Sequence, residues 1–438
     1  MSEIAPPYDE VRQSVWIDFL NRPLSKLWSL TGWIVTSSVF ILLTRLAGGV
    51  TTSDSFVSVN STLAIAHGDL SCAYPPQATL GNNPLAPPLY PLISGGLSSL
   101  FRIGHALPFP GNAQFGANCS HSIAAMGKWI VPTGALFTVV ILGYVGWLFL
   151  SVGFVALLRA SGRGRCNWEI IALLAVACAP PVIMCLNEYF HPQDLIAVGL
   201  SLGAAAGFLR KRWLAAGILL GLAYTSQQFA LLFLVPLLFI APCRSATRLV
   251  AGFLAAVAIV DGPFLIISSG RASKAMILGT GVNTKSATLL VLTHLSGNSL
   301  FALSRTLPLL LAAALALLIR QRRETSTFDS VTLVALLATS LTLRLVFEIN
   351  LWGYYFMAVT VLLIALQVVQ SRVNWWFVLW LCAVTYASIT GGLANRPTLT
   401  ALPMSLWQVI LVPWALTLSL MALRTTLNRH RRSADPAI

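Results

Sequence analysis

The sequence predicts an all-α polytopic membrane protein, and three observations support that fold class. The 438-residue chain is 56% hydrophobic and only 10% charged, with a mean hydropathy of +0.78, whereas soluble domains usually carry about a quarter charged residues. Apolar runs long enough to span hydrocarbon, roughly 20 residues each, recur along nearly the whole chain. The basic residues fall mainly in short loops between these runs. Together these features exclude an ordinary soluble domain.

The apolar runs predict about 10–12 membrane helices within a single domain, residues 29–423. The first 27 residues are polar or mixed and no small-residue cleavage site follows the first run, so we do not expect a cleaved signal peptide. The expected spans are 29–48, 129–158, 170–186, 194–209, 213–224, 228–242, 249–268, 303–319, 330–347, 353–369, 374–390 and 402–423.

The distribution of Lys and Arg predicts the orientation. Nineteen of the 28 basic residues fall in terminal segments and loops that share one side of the predicted bundle. The positive-inside rule assigns that side to the cytoplasm, which makes residues 1–28 a cytoplasmic segment and 424–438 a basic cytoplasmic tail. We therefore expect a multi-pass protein of the cytoplasmic (plasma) membrane. The rule also explains the net charge of +14 without a nucleic-acid partner.

Two of the predicted spans, 213–224 and 228–242, are shorter than the roughly 20 residues that a crossing needs. They predict a short hairpin with 224-YTSQQ-228 at its tip. Polar backbone at membrane depth requires cover from protein or a water-filled cavity, so a cavity open to the outer face would hold Gln227 and Gln228. A full crossing with a tight outer turn is the alternative.

Two long connections are expected outside, residues 49–128 and 269–302. The first is rich in proline, but four apolar residues at helical spacing predict a helix over 55–67 that lies along the membrane interface. The segment 90–101 is a second candidate for the same arrangement. We expect the first loop to pack over the mouth of the bundle.

Cysteine usage fits this topology. Of seven cysteines, only Cys72 and Cys119 fall in the long outer loop, where oxidation is possible. We predict a disulfide bond between them and reduced thiols elsewhere. Such a bond would stiffen the loop over the cavity.

The first candidate functional residue is Asp54, which follows the first span in 49-GVTTSDSFVSVN-60. A carboxylate at this position, close to the membrane–water boundary, is a candidate general base. Alternatively, Ser53 or Asp54 caps the predicted helix that follows.

The outer turn 187-NEYFHPQDL-195 contributes Glu188, His191 and Asp194. A structural explanation is available, since Pro192 suits the first helical turn and Asp194 would face the positive end of the helix dipole. The spacing matches no strong metal-ligand pattern, and we predict no metal site.

The stretch 344-RLVFEINLWGYYF-356 supplies Arg344, Glu348, Tyr354 and Tyr355. Arg344 and Glu348 are four residues apart and would pair on one helix face. An arginine in an apolar run needs an anionic partner, and the N–H donors of its planar guanidinium group match the oxygens of a phosphate. The tyrosines are either sugar contacts or an interfacial aromatic belt.

Among the remaining acids, eight fall on the cytoplasmic side and are expected only to be solvated; Glu169 and Asp329 are two of them. Asp261, in 259-IVDGPF-264, lies deeper than the other outer acids. Ionisable residues within the membrane are functional candidates by default.

One chemistry uses all the candidate groups: transfer of a sugar from a lipid phosphate to a hydroxyl. It needs a carboxylate to accept the hydroxyl proton, cations to hold the phosphate charge, and polar groups to bind the sugar. Asp54 would be the base, and Arg344 with Lys285 or Lys274 would bind the phosphate. The sugar or acceptor contacts would be Glu188, His191, Asp194, Gln227, Gln228, Glu348, Tyr354 and Tyr355.

The chain resembles the C-type glycosyltransferase superfamily, and within it the actinobacterial polyprenyl-phosphate-mannose-dependent mannosyltransferases of glycosyltransferase family 87. The resemblance lies in 53-SDSFVSVNSTLAIAHGDLSCAYPP-76, 189-YFHPQDLIAVGL-200, 221-GLAYTSQQFALL-232 and 344-RLVFEINLWGYYF-356.

This resemblance implies a helical bundle with interfacial helices in a long first outer loop. It also implies an inverting sugar transfer at the outer membrane face, with Asp54 as general base. The partners would be a polyprenyl-phosphate sugar, a lipid or glycan acceptor and membrane lipids, with a role in cell envelope biosynthesis. The loop reads 52-TSDS-55, without the paired acids of some branches, which favours catalysis without metal or other cofactor.

The alternative function is a transporter or flippase of a lipid-linked sugar. Transporters place charged sites near the midplane, often between repeated halves. Only Asp261 approaches that depth, and we find no internal repeat in the sequence. The enzyme is therefore the preferred hypothesis.

Overall fold

The computed structural model describes residues 18–46, 61–74 apart from Leu63, His67 and Asp69, 87–103, 133–187, 190–268, 297–322, 328–348, 351–390 and 404–434. Within these ranges the regular structure is helical, and the only extended pairing is one isolated bridge between Pro23 and Cys166. The all-α class is therefore confirmed for the described part of the chain.

The helices follow the predicted apolar runs closely. In chain order they are α1 (Lys26–Leu46), α2 (Leu89–Ile103), α3 (Thr133–Ala160), α4 (Asn167–Cys178), α5 (Pro180–Asn187), α6 (Pro192–Leu209), α7 (Trp213–Tyr224), α8 (Leu231–Ile240), α9 (Cys243–Ile267), α10 (Gly297–Gln321), α11 (Ser330–Phe347), α12 (Phe356–Gln370), α13 (Trp375–Ile389) and α14 (Met404–Ala434). Short 3-10 helices cover Leu70–Ala73, Gln228–Ala230 and Gly353–Tyr355.

Eight of the described helices are long and apolar enough to cross a membrane, or nine if α4 and α5 form one span bent by 50°. The bend falls where Ala179 leaves the helix ahead of Pro180, since proline disfavours helical geometry in the residue before it. Shorter apolar helices lie at 213–224, 228–240 and 375–389. The chain is thus a polytopic membrane protein.

Several predicted boundaries differ from the structure; helix α9, for example, begins at Cys243 and not at residue 249. Helix α10 begins at Gly297, inside the connection predicted for 269–302. Helix α14 runs to Ala434, so most of the predicted tail 424–438 continues the helix. Charged residues are good helix formers, and an apolar helix can extend through them beyond the membrane.

The predicted short hairpin is formed by α7 and α8. Helix α7 has 12 residues, which gives a length of about 18 Å at 1.5 Å per residue. This is well short of the roughly 30 Å of a hydrocarbon core. Thr225 and Ser226 at its tip are buried, and Ser226 donates a hydrogen bond of 2.8 Å to the carbonyl of Gln193. The polar tip is covered by protein, as predicted.

Glycines bring α7 into backbone contact with α9. A Cβ atom at Gly217 would lie 2.1 Å from the carbonyl oxygen of Leu249, and one at Gly252 would lie 2.4 Å from that of Leu214. Small residues permit such close helix approach where lipid offers no hydrophobic driving force. Helix α9 continues past the hairpin tip to Ile267, so the hairpin ends part-way along its longer neighbour.

The first predicted outer loop packs onto this hairpin tip. The Leu89 N–H donates a 3.0 Å hydrogen bond to the carbonyl of Thr225, and Tyr90 is buried against Ala223 and Ala230. Helix α2 confirms the predicted helix at 90–101. The loop therefore extends the protein where the short hairpin stops.

The described residues of this loop pack against each other and against the bundle, and the position of its helices along the membrane interface stays a prediction. Residues 61, 62 and 64–66 are helical; Ser61, Thr62 and Ala64 are buried, and the hydroxyls of Thr62 and Ser94 are hydrogen-bonded. Phe264 of α9 packs against Ala64 and Tyr74. Residues 55–60 lie outside the described part of the chain.

Cys72 is disulfide-bonded, while Cys166, Cys178, Cys185, Cys243 and Cys382 are free thiols. Its predicted partner, Cys119, lies outside the described residues. The local packing around the bond is dense, because Cys72, Ala73 and Tyr74 form a small buried cluster with Phe264 of α9.

The prediction that Glu169 is merely solvated is wrong. Glu169 is 3% exposed and accepts hydrogen bonds from Arg159 at 2.7 Å and Ser29 at 2.7 Å. This partly buried ion pair joins α1, α3 and α4. Asp329 likewise has a structural role, since it caps α11 through a 2.8 Å hydrogen bond from the Thr332 N–H.

Candidate functional site

The centre of the site is a buried carboxylate held by two arginines. Oε2 of Glu348 accepts a hydrogen bond of 3.0 Å from Nε of Arg344 and one of 2.9 Å from Nη1 of Arg305. Glu348 is 3% exposed. Arg344 lies in the last turn of α11, Glu348 directly follows that helix, and Arg305 comes from α10. One carboxylate therefore ties the end of α11 to α10.

Aromatic rings fix the orientation of the Arg344 guanidinium. Its central carbon lies 4.9 Å from the ring centre of Phe229 and 4.6 Å from that of Tyr355. Contacts of this kind attract a cation to the ring face. Because Nε donates to Glu348, the two terminal nitrogens of Arg344 can donate to other acceptors. No residue in the described ranges accepts a hydrogen bond from these two nitrogens.

The aromatic contacts continue to the predicted outer turn. Tyr355 meets Tyr354 edge to face at 4.7 Å, and Tyr354 stacks on His191 at 4.5 Å with ring planes 20° apart. His191 precedes α6, with Pro192 as the first residue of the helix. Nε2 of Gln193 lies 2.9 Å from Nδ1 of His191. The stretch around 191 and the stretch 344–355 therefore form one wall.

A cavity of about 160 Å³ opens beside the arginines. At about 30 Å³ per water molecule, it has room for roughly five waters. Arg305 and Arg344 both line it, together with residues that carry hydroxyl, amide and apolar side chains. The lining residues are Tyr224, Gln228, Phe229, Leu231, Leu232, Ser304, Arg305, Pro308, Leu309 and Arg344.

The charge state of the central carboxylate follows from its neighbours. Burial raises the pKa of Glu348, but the charges of Arg305 and Arg344 and their hydrogen bonds outweigh burial, so the net effect lowers the pKa below its ordinary value. Glu348 is therefore ionised at neutral pH. Its carboxylate is occupied by two cations, so the geometry favours a positioning role over the predicted contact with a sugar.

The structure brings most described candidates together. His191, Gln228, Arg344, Tyr354 and Tyr355 belong to this cluster or its cavity. The others have different positions: Asp194 is buried in the first turn of α6, where its charge acts on Arg344, and Gln227 precedes the 3-10 helix at the hairpin tip. Asp54, Glu188, Lys274 and Lys285 lie outside the described residues.

Sequence reasoning missed Arg305. It lies near the start of the apolar run 303–319, so the argument that selected Arg344 also applied to it. Nε of Arg305 is buried without a hydrogen-bond acceptor in the described part of the chain. Arg305 supplies a second cation beside Arg344, and the predicted phosphate ligands Lys274 and Lys285 lie outside the described residues.

The described residues contain no group of three or more His, Cys, Asp or Glu side chains able to hold a metal ion. The donor set of the cavity is cationic and amide, which suits an anion or a sugar better than a cation. Compared with known proteins, the chain matches no protein-family model and no curated protein.

Proposed function

We propose that the protein is a membrane glycosyltransferase that moves a sugar, in the first instance mannose, from a polyprenyl phosphate to a lipid or glycan hydroxyl. The observation that carries this proposal is that Arg305 and Arg344, whose guanidinium groups share the carboxylate of Glu348, line one cavity. The cavity also carries amide, hydroxyl and apolar groups, which suit a ligand with a phosphate, a sugar and a hydrocarbon chain.

The arginines would bind the donor phosphate and stabilise it as it leaves. Charge develops on the leaving phosphate as the bond between the sugar C1 and the phosphate oxygen breaks. Preorganised donors in a site shielded from water stabilise such charge strongly. Glu348 and the rings of Phe229 and Tyr355 would hold Arg344 ready for this role.

Asp54 would take the proton from the acceptor hydroxyl. The acceptor oxygen then bonds to C1 on the face opposite the phosphate, and the polyprenyl phosphate leaves with the bonding electrons. This single displacement inverts the configuration at C1 and needs no added oxidant or cofactor. The assignment of Asp54 rests on the sequence and on the resemblance to family 87.

Sugar hydroxyls would contact polar groups near the cavity. Gln228 lines it, and His191 and Tyr354 extend the same wall. Glu188, Gln227, Lys274 and Lys285 remain sequence-based candidates. We further propose that the fold is of the C-type glycosyltransferase kind, that the site faces outward from the cytoplasmic membrane, and that its product belongs to the cell envelope.

A transfer assay with purified protein tests the proposal. Wild-type protein, supplied with radiolabelled polyprenyl-phosphate mannose and extracted membrane lipids, should move label into a new product. Asp54→Asn should reduce the rate at least a hundredfold, because a positioned general base contributes about 10²–10⁴ in rate. Asp18→Asn, which removes a carboxylate at an exposed site far away in sequence, is the matched control. Near-wild-type turnover by Asp54→Asn would exclude its role as the base.

One observation favours the transporter as a second candidate. Asp261 in α9 is 2% exposed, and its Oδ1 atom has no hydrogen-bond partner in the described ranges. A buried acid inside an apolar helix is a familiar element of proton-coupled transport. In vesicles, a transporter would move labelled lipid across the membrane without forming a new glycosidic bond.

A further inference from the structure

The charge count of the cluster limits which anion the cavity can accept. Arg305 and Arg344 contribute two positive charges, and the ionised Glu348 between them contributes one negative charge. The cluster therefore carries one net positive charge. Because a charge in a poorly hydrated site acts strongly on its neighbours, this excess is a property that a ligand would have to match.

The arrangement presents only the cations to the cavity. Arg305 and Arg344 line it, and Glu348 is not among the lining residues. Glu348 is hydrogen-bonded to both guanidinium groups and lowers their combined charge without itself lining the cavity. Because only Nε of Arg344 is bonded to Glu348, the terminal nitrogens of Arg344 keep donor capacity for an anion.

Asp194 is the other described acid whose charge acts on Arg344. Its effect is weaker than that of Glu348. It also lies in the first turn of α6, where the positive end of the helix dipole offsets part of a negative charge. Among the described residues, the net charge of the cluster is thus set mainly by Glu348.

We propose that Glu348 is a specificity-determining residue that matches the cavity to a lipid phosphate with one negative charge and against a lipid diphosphate with two. This inference rests on the proposed function for the identity of the anion. A sugar linked through one phosphate is a diester with a single charge, whereas a sugar linked through a diphosphate carries two. Glu348 would exclude lipid diphosphates, because the cluster would leave the second negative charge of the diphosphate without a compensating positive charge.

Binding of two unreactive probes tests this directly. Farnesyl methyl phosphate carries one charge, and the diphosphate ester P1-farnesyl P2-methyl diphosphate carries two. Their affinities are measured by calorimetry in detergent for wild type, Glu348→Gln, Arg305→Gln and the double variant Glu348→Gln/Arg305→Gln. The nominal charge of the cluster is +1 in wild type, +2 in Glu348→Gln, 0 in Arg305→Gln and +1 in the double variant.

The preference for diphosphate over monophosphate should follow these charges. Glu348→Gln should raise the diphosphate-to-monophosphate affinity ratio at least tenfold, and Arg305→Gln should lower it. The double variant should return close to wild type. If Glu348→Gln does not fold, the comparison of Arg305→Gln with the double variant still applies, and there too removal of Glu348 must raise the ratio tenfold.

A diphosphate-to-monophosphate affinity ratio that stays within twofold of the wild-type value in every folded variant would overturn the inference. Asp18→Asn serves as the control for a lost carboxylate away from the cavity. Because neither probe can donate a sugar, the result is separate from the proposed activity. If the protein transfers the sugar but the affinity ratio does not change among the variants, only this inference is wrong. If the affinity ratios change as expected but no sugar is transferred, the proposed function is wrong.

Discussion

Nε of Arg344 donates a hydrogen bond of 3.0 Å to Oε2 of Glu348, four residues further along the chain. The same carboxylate oxygen accepts from Arg305, which lies 43 residues earlier. This shared contact connects the end of α11 with α10 and orients two cations at one cavity. Stability, anion binding and the proposed catalysis should therefore depend on the same three residues.

Removing the shared carboxylate should destabilise the protein. In Glu348→Gln two guanidinium groups would face each other without compensation, and breaking a buried ion pair in this way costs about 3–5 kcal/mol. We expect the low end of that range, since Arg305 is 33% exposed. Unfolding in detergent followed by circular dichroism measures the change. The double variant Glu348→Gln/Arg305→Gln should recover part of the loss; no recovery would contradict the charge explanation.

The ion cluster should also give a defined pH dependence. The folded pKa of Glu348 lies below its ordinary value of 4.5, so its contribution to stability is fully present above about pH 4.5. That contribution is lost as the pH falls through the lowered pKa and the carboxylate becomes protonated. Unfolding measured between pH 3 and pH 7 should show an acid-sensitive component that is absent in the double variant. The same acid sensitivity in both proteins would assign it to another group.

The close contact between α7 and α9 should not tolerate a side chain. In Gly217→Ala the new Cβ would meet the Leu249 carbonyl at 2.1 Å, so the helices would have to separate. We expect a loss of about 1–3 kcal/mol, as in overpacked interiors, and a lower melting temperature in detergent. Gly262→Ala in α9 is the matched control, because nothing lies within 4 Å of its Cβ position. Equal stability of the two variants would contradict the described packing.

The rings around Arg344 should affect donor binding. Tyr355→Leu removes a ring 4.6 Å from the guanidinium, a contact worth roughly 0.5–2 kcal/mol. We expect KM for the polyprenyl-phosphate sugar to rise about fivefold while the fold is kept. Tyr386→Leu, at a position 53% exposed, should leave KM unchanged. An unchanged KM in Tyr355→Leu would mean that the ring does not position Arg344 for the donor.

Local sequence patterns were sufficient for the helices and for one contact. Apolar runs gave the spans, including the short hairpin of α7 and α8, because helix length and hydropathy are local properties. The ion pair of Arg344 and Glu348 could be predicted because residues four apart meet at a helix end. These parts of the fold need no knowledge of the tertiary arrangement.

Contacts between distant segments could not be predicted in this way. The approach of Arg305 to Glu348 depends on how α10 packs beside α11, which spacing does not encode. The burial of Glu169 beside Ser29 and Arg159 depends on three helices at once. The packing of Thr62 on Ser94 and of Ala66 on Ser99 likewise joins segments about 30 residues apart in the chain.

The most direct test of the central claim follows the labelled sugar in sealed vesicles that contain the purified protein. Polyprenyl-phosphate mannose carrying the label is supplied together with acceptor lipids, and the products are separated after reaction. The proposed enzyme predicts label in a new glycoside of inverted configuration, with formation strongly reduced in Arg344→Gln and in Arg305→Gln. Label that crosses the membrane while still attached to polyprenyl phosphate, with no new glycoside formed, would contradict a transferase and favour transport.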